Sequence, residues 1–341
     1  MNINTKYDYE IINEINSEGV NSNLYMVNDL QYNQKLILKR IEKKKIKDID
    51  KYFDESRKIN SLNHPNIISI ASTSYDEEYV YISMPYYEQG SLQQLIENRN
   101  LSLREIIRYS LGFISAIYCI HCNDMVHCDI KPSNILIDKN DNAIITDFGS
   151  ALYLNKFGNA KLKNVYYKHI APEQCTSSTI SKKLDIYQIG TTLYRLCNGN
   201  EEYNKQAKRY KDLNNLKIAC SKGKFPVRKK YMPHISKEMI NIIEKCINVN
   251  SYERYSDVLE IMNDISSLEY NLDWYCVKEK EYKYIWVLNT RKIYVRIILQ
   301  KEENDWKVID DEKEILTVES KAKGYRVVRN IIKEYEKELK T

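Results

Sequence analysis

Val126-His127-Cys128-Asp129-Ile130-Lys131-Pro132-Ser133-Asn134-Ile135-Leu136 sets a carboxylate, an ammonium and an amide within eleven residues, and Ile144-Ile145-Thr146-Asp147-Phe148-Gly149 adds a second carboxylate behind an apolar, strand-like run. Phosphoryl transfer from a nucleoside triphosphate calls for this set. The protein must hold a divalent cation and the phosphates, orient an acceptor hydroxyl and neutralise charge on the equatorial oxygens, so separated carboxylates, an amide and lysines carry the chemistry. Either stretch alone reads as a turn rich in polar residues. The two in this order, with Asp147 eighteen positions after Asp129, read as a constellation.

Outward from this pair, the chain changes character twice. The first ninety residues read as strands (Tyr9 to Ile12, Leu24 to Val27, Lys35 to Ile41, Ile67 to Ala71, Tyr79 to Met84) around one charged helix from about Ile49 to Leu62. From Ser91 apolar residues recur at helical spacing, through Leu92, Leu95 and Ile96 and then Ile106, Leu111, Ile114 and Ile117, with further helices expected over Lys182 to Cys197, Lys237 to Val249 and Ser256 to Ser266. After about Tyr270 strand-like runs return (Tyr282 to Leu288, Lys292 to Leu299, Trp306 to Ile309), closed by an amphipathic helix from about Ser320 to Leu339. Its apolar face would be Tyr325, Val328, Ile331, Ile332, Tyr335 and Leu339, and Gly324 is expected to weaken its first turns.

Composition narrows the setting without naming a partner. With 43% apolar and 29% charged residues, the 341-residue chain has the balance of a globular protein. The net charge of +5 is too small and too dispersed to select a nucleic acid or a membrane surface. The run Met1 to Tyr9 is polar and lacks an apolar leader core, so the eight cysteines are expected as reduced thiols in a cytoplasmic protein. Ile106 to Ile120 is too short and too interrupted to cross a bilayer. Cys119, Cys122, His127 and Cys128 could be read as zinc ligands; the competing reading makes His127 the start of the polar loop and leaves Cys119 and Cys122 as small hydrophobes buried at a helix end.

The loop and the Asp-Phe-Gly run resemble the catalytic loop and metal-binding segment of eukaryotic-type (Hanks-type) protein kinases, in the Ser/Thr branch. The resemblance implies that Asp129 accepts or orients the proton of the substrate hydroxyl, Lys131 steadies the transferring phosphate, and Asn134 and Asp147 hold Mg²⁺. It implies that Lys39, ending Leu36-Ile37-Leu38-Lys39, reaches the phosphates of ATP and is fixed by Glu55. Leu24, Ile37 and Leu136 fall where the family sandwiches adenine, Met84 where it guards the back of that pocket, and the hinge backbone near Tyr87 where it bonds the base. Ala171-Pro172-Glu173 with Arg254 resembles the clamp that ends the activation segment, and Asp185 the helix aspartate that holds the catalytic loop.

Three departures accompany the match. The phosphate-covering stretch carries Ser17, Gly19 and Ser22 where the family has three glycines, which predicts weakened nucleotide binding. Cys128 stands where most members carry arginine, and Ala151 to Ile170 holds no Ser or Thr, only Tyr153, Tyr166 and Tyr167, so control by phosphorylation of that segment is not expected. Tyr166 replaces a threonine that contacts the catalytic aspartate, while Lys156, Lys161, Lys163 and Lys168 are either a solvated face or a preference for acidic substrates.

The expected architecture is therefore α+β: a bilobal protein kinase-like fold over residues 7–268, with a small β-rich lobe and a large helical one, followed by a small α+β module over 271–341. The expected activity is ATP- and Mg²⁺-dependent transfer to Ser/Thr hydroxyls of a protein substrate, the alternative being a nucleotide-binding scaffold of the same fold with weak or no turnover. The terminal module carries sixteen Lys and Arg against fourteen Asp and Glu, so a solvated face is favoured over nucleic acid, and docking or regulation is expected of it from its position.

Overall fold

In the computed structural model the described residues are 7–15, 22–45, 50–161, 169–269, 273–280, 282–291, 293–310 and 313–339. The first sheet comprises β1 (Tyr9–Ile15), β2 (Ser22–Asp29), β3 (Gln34–Glu42), β4 (Ser72–Tyr75) and β5 (Tyr79–Pro85), antiparallel in the order β1-β2-β3-β5-β4. Strand alternation sorts its side chains. Tyr25 and Val27 pair with Leu38 and Leu36 and pack on one face. The register Leu24–Lys39–Ile82 and Met26–Ile37–Met84 puts the other set on the opposite face. The charged helix α1 (Asp50–Asn60) follows β3. Ile67 to Ala71, read from sequence as a strand, makes only an isolated bridge, Ile67 with Ile145. Ile67 and Ile68 are instead buried in the main core, and the strand begins at Ser72.

The helical body is built on α3 (Leu103–Cys122) and α4 (Lys182–Asn198). A capping box of Ser102 and Glu105 starts α3, and its buried Ile106, Phe113, Ile114, Ile117 and Ile120 follow helical spacing. Every residue of α4 from Leu184 to Asn198 is buried. A Cβ on Gly190 would lie 2.5 Å from Cys246 Cβ, so α4 can pass this close to α7 (Lys237–Cys246) only with glycine there. Around them lie α2 (Leu92–Asn98), α5 (Asn200–Ala207), α6 (Leu213–Ser221) and α8 (Val258–Ser266). The short strands β6 (Met125–Val126), β7 (Ile135–Ile137), β8 (Ala143–Ile145) and β9 (Leu152–Tyr153) frame the polar loop; β10 (Ala160–Lys161) pairs with β11 (Thr179–Ile180). The expected helix over Lys237 to Val249 stops at Cys246. Helices α5 and α6 escaped the sequence reading, because few apolar residues mark their faces.

The terminal module is an antiparallel meander of β12 (Tyr275–Lys280), β13 (Lys283–Asn289), β14 (Tyr294–Glu302), β15 (Asp305–Asp310) and β16 (Lys313–Val318), with α9 (Lys321–Glu338) across one face. Trp286, Leu288, Val295, Ile297, Leu299 and Val308 meet Val328, Ile332 and Tyr335 of α9 in a core of their own. One sequence expectation needs correction: Leu339 is 43% exposed and does not extend the apolar face. Gly324 is buried, and a Cβ there would meet Leu299 Cδ1 at 2.4 Å, so glycine, whatever it costs the helix in propensity, lets α9 lie close to the sheet. The module rests on the helical body through Arg104 Nη2 to Asp273 Oδ2 (2.9 Å), Asn100 Nδ2 to Cys276 O (2.9 Å) and Arg329 to the carbonyls of Tyr231 and Met232. Among the described residues no helix is long and apolar enough to cross a membrane.

Candidate active site

The polar loop 126–136 lies over α4, and one stripe of that helix holds it. Asp185 accepts from the backbone N–H groups of His127 and Cys128, both at 2.9 Å. One turn on, Gln188 accepts from Ile130 N and donates to Cys128 O, each at 2.9 Å, and Thr192 donates to Ile130 O. The spacing 185, 188, 192 is one helix face. Burial pushes the Asp185 carboxyl up, but His121, at 2.8 Å, and the backbone N–H of His127 pull it down by more, so it stays charged below the usual carboxylate range. His127 is locked as well. Its Nδ1 accepts from Asp129 N, so Nε2 carries the proton and donates to Thr146 O, with the ring set edge-on against Phe148.

On this footing stand the groups singled out from sequence. Asp129 is buried; its Oδ2 meets Lys131 Nζ and Asn134 Nδ2, both at 2.9 Å, while Oδ1 is buried and makes no hydrogen bond among the described residues. Because the Asn134 nitrogen is engaged with Asp129, its amide oxygen remains available as a hard ligand. Thr146 N donates to Asn134 O, which sets the following residue, Asp147, beside it. Asp147 is in the left-handed region (φ 64°), its side chain 47% exposed and 3.7 Å from Lys39 Nζ. Desolvation raises its carboxyl, and Lys39 and Lys131 lower it by more, so it is held ionised below its ordinary range. An amide oxygen and an ionised carboxylate beside a lysine fit Mg²⁺ with phosphates.

The roof is the inner face of the first sheet. Leu24, Ile37, Lys39 and Met84 all lie on it, by the register above, and all are half-buried. Leu136, on β7, is half-buried below and bridged to Ser91, while Tyr87 closes a turn by accepting Gly90 N at 3.1 Å. Gly19 and Ser17 lie outside the described residues, as does the side chain of Glu55 on α1, so the Lys39–Glu55 pair is not described.

The protein kinase domain family matches residues 9–266. The chain belongs to the protein kinase family. It is 30% identical over 267 residues to the serine/threonine-protein kinase PrkC of Bacillus subtilis, covering 76% of this chain and 40% of that one. It is 27% identical over 270 residues to the probable serine/threonine-protein kinase PknB of Lactococcus lactis, covering 76% and 42%. The serine/threonine-protein kinase PknD of Protochlamydia amoebophila matches at 24% over 338 residues, 87% of this chain and 32% of its own. The chain thus spans about two fifths or less of these relatives.

Around the activation segment of this kinase, Cys128 is buried at φ 67°, and burial, with Asp185 and Asp129 nearby, pushes its thiol far above the ordinary value; it is a neutral filler, not a nucleophile. The basic group near it comes from α1: buried Lys58 donates to Ala151 O at 2.8 Å and lies over the Tyr153 ring. Arg254 holds Glu173 through two bonds of 2.8 and 2.7 Å. Lys163, Tyr166, Tyr167 and Lys168 lie outside the described residues. Among the described residues no cluster of three or more His, Cys, Asp or Glu could hold a metal, and Cys122 is exposed and Cys119 only half-buried, contrary to the expectation that both are buried. Sequence reasoning missed His121, Gln188, Thr192 and Lys58. The signal for Gln188 and Thr192 was available, since they lie three and seven positions after Asp185.

Proposed function

We propose that this chain is a protein Ser/Thr kinase that uses ATP and Mg²⁺, with residues 7–268 as the catalytic unit and 271–341 as an appended module. The observation that carries the reading is Asp129, whose Oδ2 is fixed by Lys131 and Asn134 while Oδ1 is buried without a partner. A substrate hydroxyl entering the cleft supplies the missing donor, and Asp129 orients it and takes its proton. Lys131 steadies the transferring phosphate. Asn134 and Asp147 hold Mg²⁺, which when bound neutralises phosphate charge. Lys39, fixed by Glu55, binds the phosphates under a cover that includes Gly19; Leu24, Ile37 and Leu136 enclose adenine, with Met84 behind it and the backbone near Tyr87 bonding its edge.

Activity does not wait for phosphorylation of the activation segment. Support comes from the buried Cys128, the Lys58 bond to Ala151 and the Glu173–Arg254 clamp, which order both ends of the segment without a phosphate. Eight unpaired cysteines support a reducing, cytoplasmic setting. The test is labelled-phosphate transfer from Mg-ATP to generic protein acceptors. Wild type should transfer label, Asp129→Ala should lose roughly a thousandfold of the rate with nucleotide binding intact, and phosphatase pretreatment should leave the rate unchanged. Nucleotide binding without transfer in wild type would point instead to the scaffold reading.

A further inference from the structure

Between the helical body and the terminal module runs an open groove of about 1530 Å³, outside the catalytic cleft. It is larger than the roughly 300–1,000 Å³ of a small-molecule site, so an extended chain segment fits it better than a metabolite. Its charges are not balanced. The acids Glu105, Glu202 and Asp273 in its walls are already bonded to Arg99, Lys230 and Arg104. Lys205, Lys229, Lys237 and Arg326, all exposed, make no salt bridge among the described residues. The first three come from the helical body and Arg326 from α9, so both walls offer cations to whatever lies between. Tyr275 and Tyr282 add aromatic surface from the module.

A chain of hydrogen bonds also links the groove to the activation segment. Asn200, in its wall, donates to Glu97 (2.6 Å) and accepts from Arg195 (2.5 Å), and Arg195 meets His169 of the activation segment at 3.0 Å. We infer that this groove docks an extended acidic segment of the protein substrate, an inference that rests on the kinase reading for its purpose but not for the binding itself. Acidic polypeptide is favoured over nucleic acid because Glu97, Glu201 and Glu244 sit among the cations. Spaced carboxylates can avoid them, whereas a continuous phosphate backbone cannot.

The test uses the full chain and a fluorescein-labelled peptide of glutamates spaced by Gly-Ser, read by anisotropy, against a lysine analogue and oligo-uridine of equal length. The glutamate peptide should bind, with affinity falling about tenfold or more in the Lys229→Glu, Lys237→Glu, Arg326→Glu variant and partway in Lys229→Glu alone, each checked for an unchanged melting temperature. Binding should survive Asp129→Ala, which separates docking from catalysis. With an acceptor fused to the acidic peptide, KM should rise in the triple variant at constant kcat, and the bare acceptor should be unaffected. Equal glutamate-peptide affinity in wild type and triple variant, tighter binding of oligo-uridine, or no peptide binding overturns the inference.

Discussion

Asp129 and Lys39 both point charge into the cleft, yet the backbone under Asp129 is held by three side chains of one buried helix, whereas Lys39 stands on a strand whose inner face is half-open. The floor has almost no freedom. His127, Cys128 and Ile130 each give a backbone group to α4, and His127 is fixed in one tautomer. The roof is more open: β1 is largely exposed, and Leu24, Ile37, Lys39 and Met84 on the inner face are half-buried. The difference matches what each part must do. A carboxylate that meets a hydroxyl in flight loses rate for small misplacements, so it needs a rigid support. In the role proposed for Lys39, the nucleotide itself would order the lysine further.

Asp185→Asn should break the floor and give the largest effect on stability. One of the asparagine's two faces would present N–H to an N–H, leaving a buried donor unpaired, at a cost of roughly 3 kcal/mol in urea unfolding. The pH dependence has a definite sign. Asp185 is depressed in the folded protein, so its contribution is complete above the unfolded carboxylate value of about 3.9 and is lost as pH falls through the lower folded value. The gap between wild type and variant should therefore be flat near neutrality and shrink only below about pH 4. An unchanged unfolding midpoint at pH 7 would remove the contrast between floor and roof.

Lys39→Met strikes the roof. We expect kcat/KM for ATP to fall about a hundredfold, as for loss of one preorganised charge, with a smaller loss of stability than in Asp185→Asn, because Lys39 stands on a half-open strand and methionine keeps most of its apolar stem. Without Lys39 the Asp147 carboxyl should also move up toward its ordinary range. Destabilisation as large as that of Asp185→Asn would mean the roof is as rigidly built as the floor.

The same contrast governs what could be read from sequence. Asp129, Lys131, Asn134 and Asp147 were legible because the chemistry needs these residue types at short, fixed spacings in one stretch. Lys39 and Met84 lay in expected strands, and only the resemblance to the family singled them out. Of the floor's supports Asp185 was legible, but His121 and Lys58 were not: Lys58 reaches it from a helix far away in sequence, and His121, though close to the loop, meets Asp185 only through the fold, so neither carries a spacing signal. In the terminal module, sequence alternation found β13 to β15, but edge strands β12 and β16 were missed, and the close approach of Gly324 to Leu299 carried no sequence signal.

The smallest effect lies where roof and floor join. Ser91 caps α2, accepting from Gln94 N at 3.3 Å while its own N–H donates to Gln94 Oε1 at 2.8 Å, and its backbone bridges to Leu136. Ser91→Ala removes one half of this capping box and should cost about 1 kcal/mol, a shift of roughly 2–4 °C in melting temperature. The bridge to Leu136 is made by backbone, which alanine keeps, so the Leu136 side chain should stay in place and KM for ATP should change by less than about threefold. If KM instead rises tenfold while stability drops only as expected, the serine side chain is setting the gap between roof and floor, and the division between a rigid floor and an adaptable roof would have to be redrawn at α2.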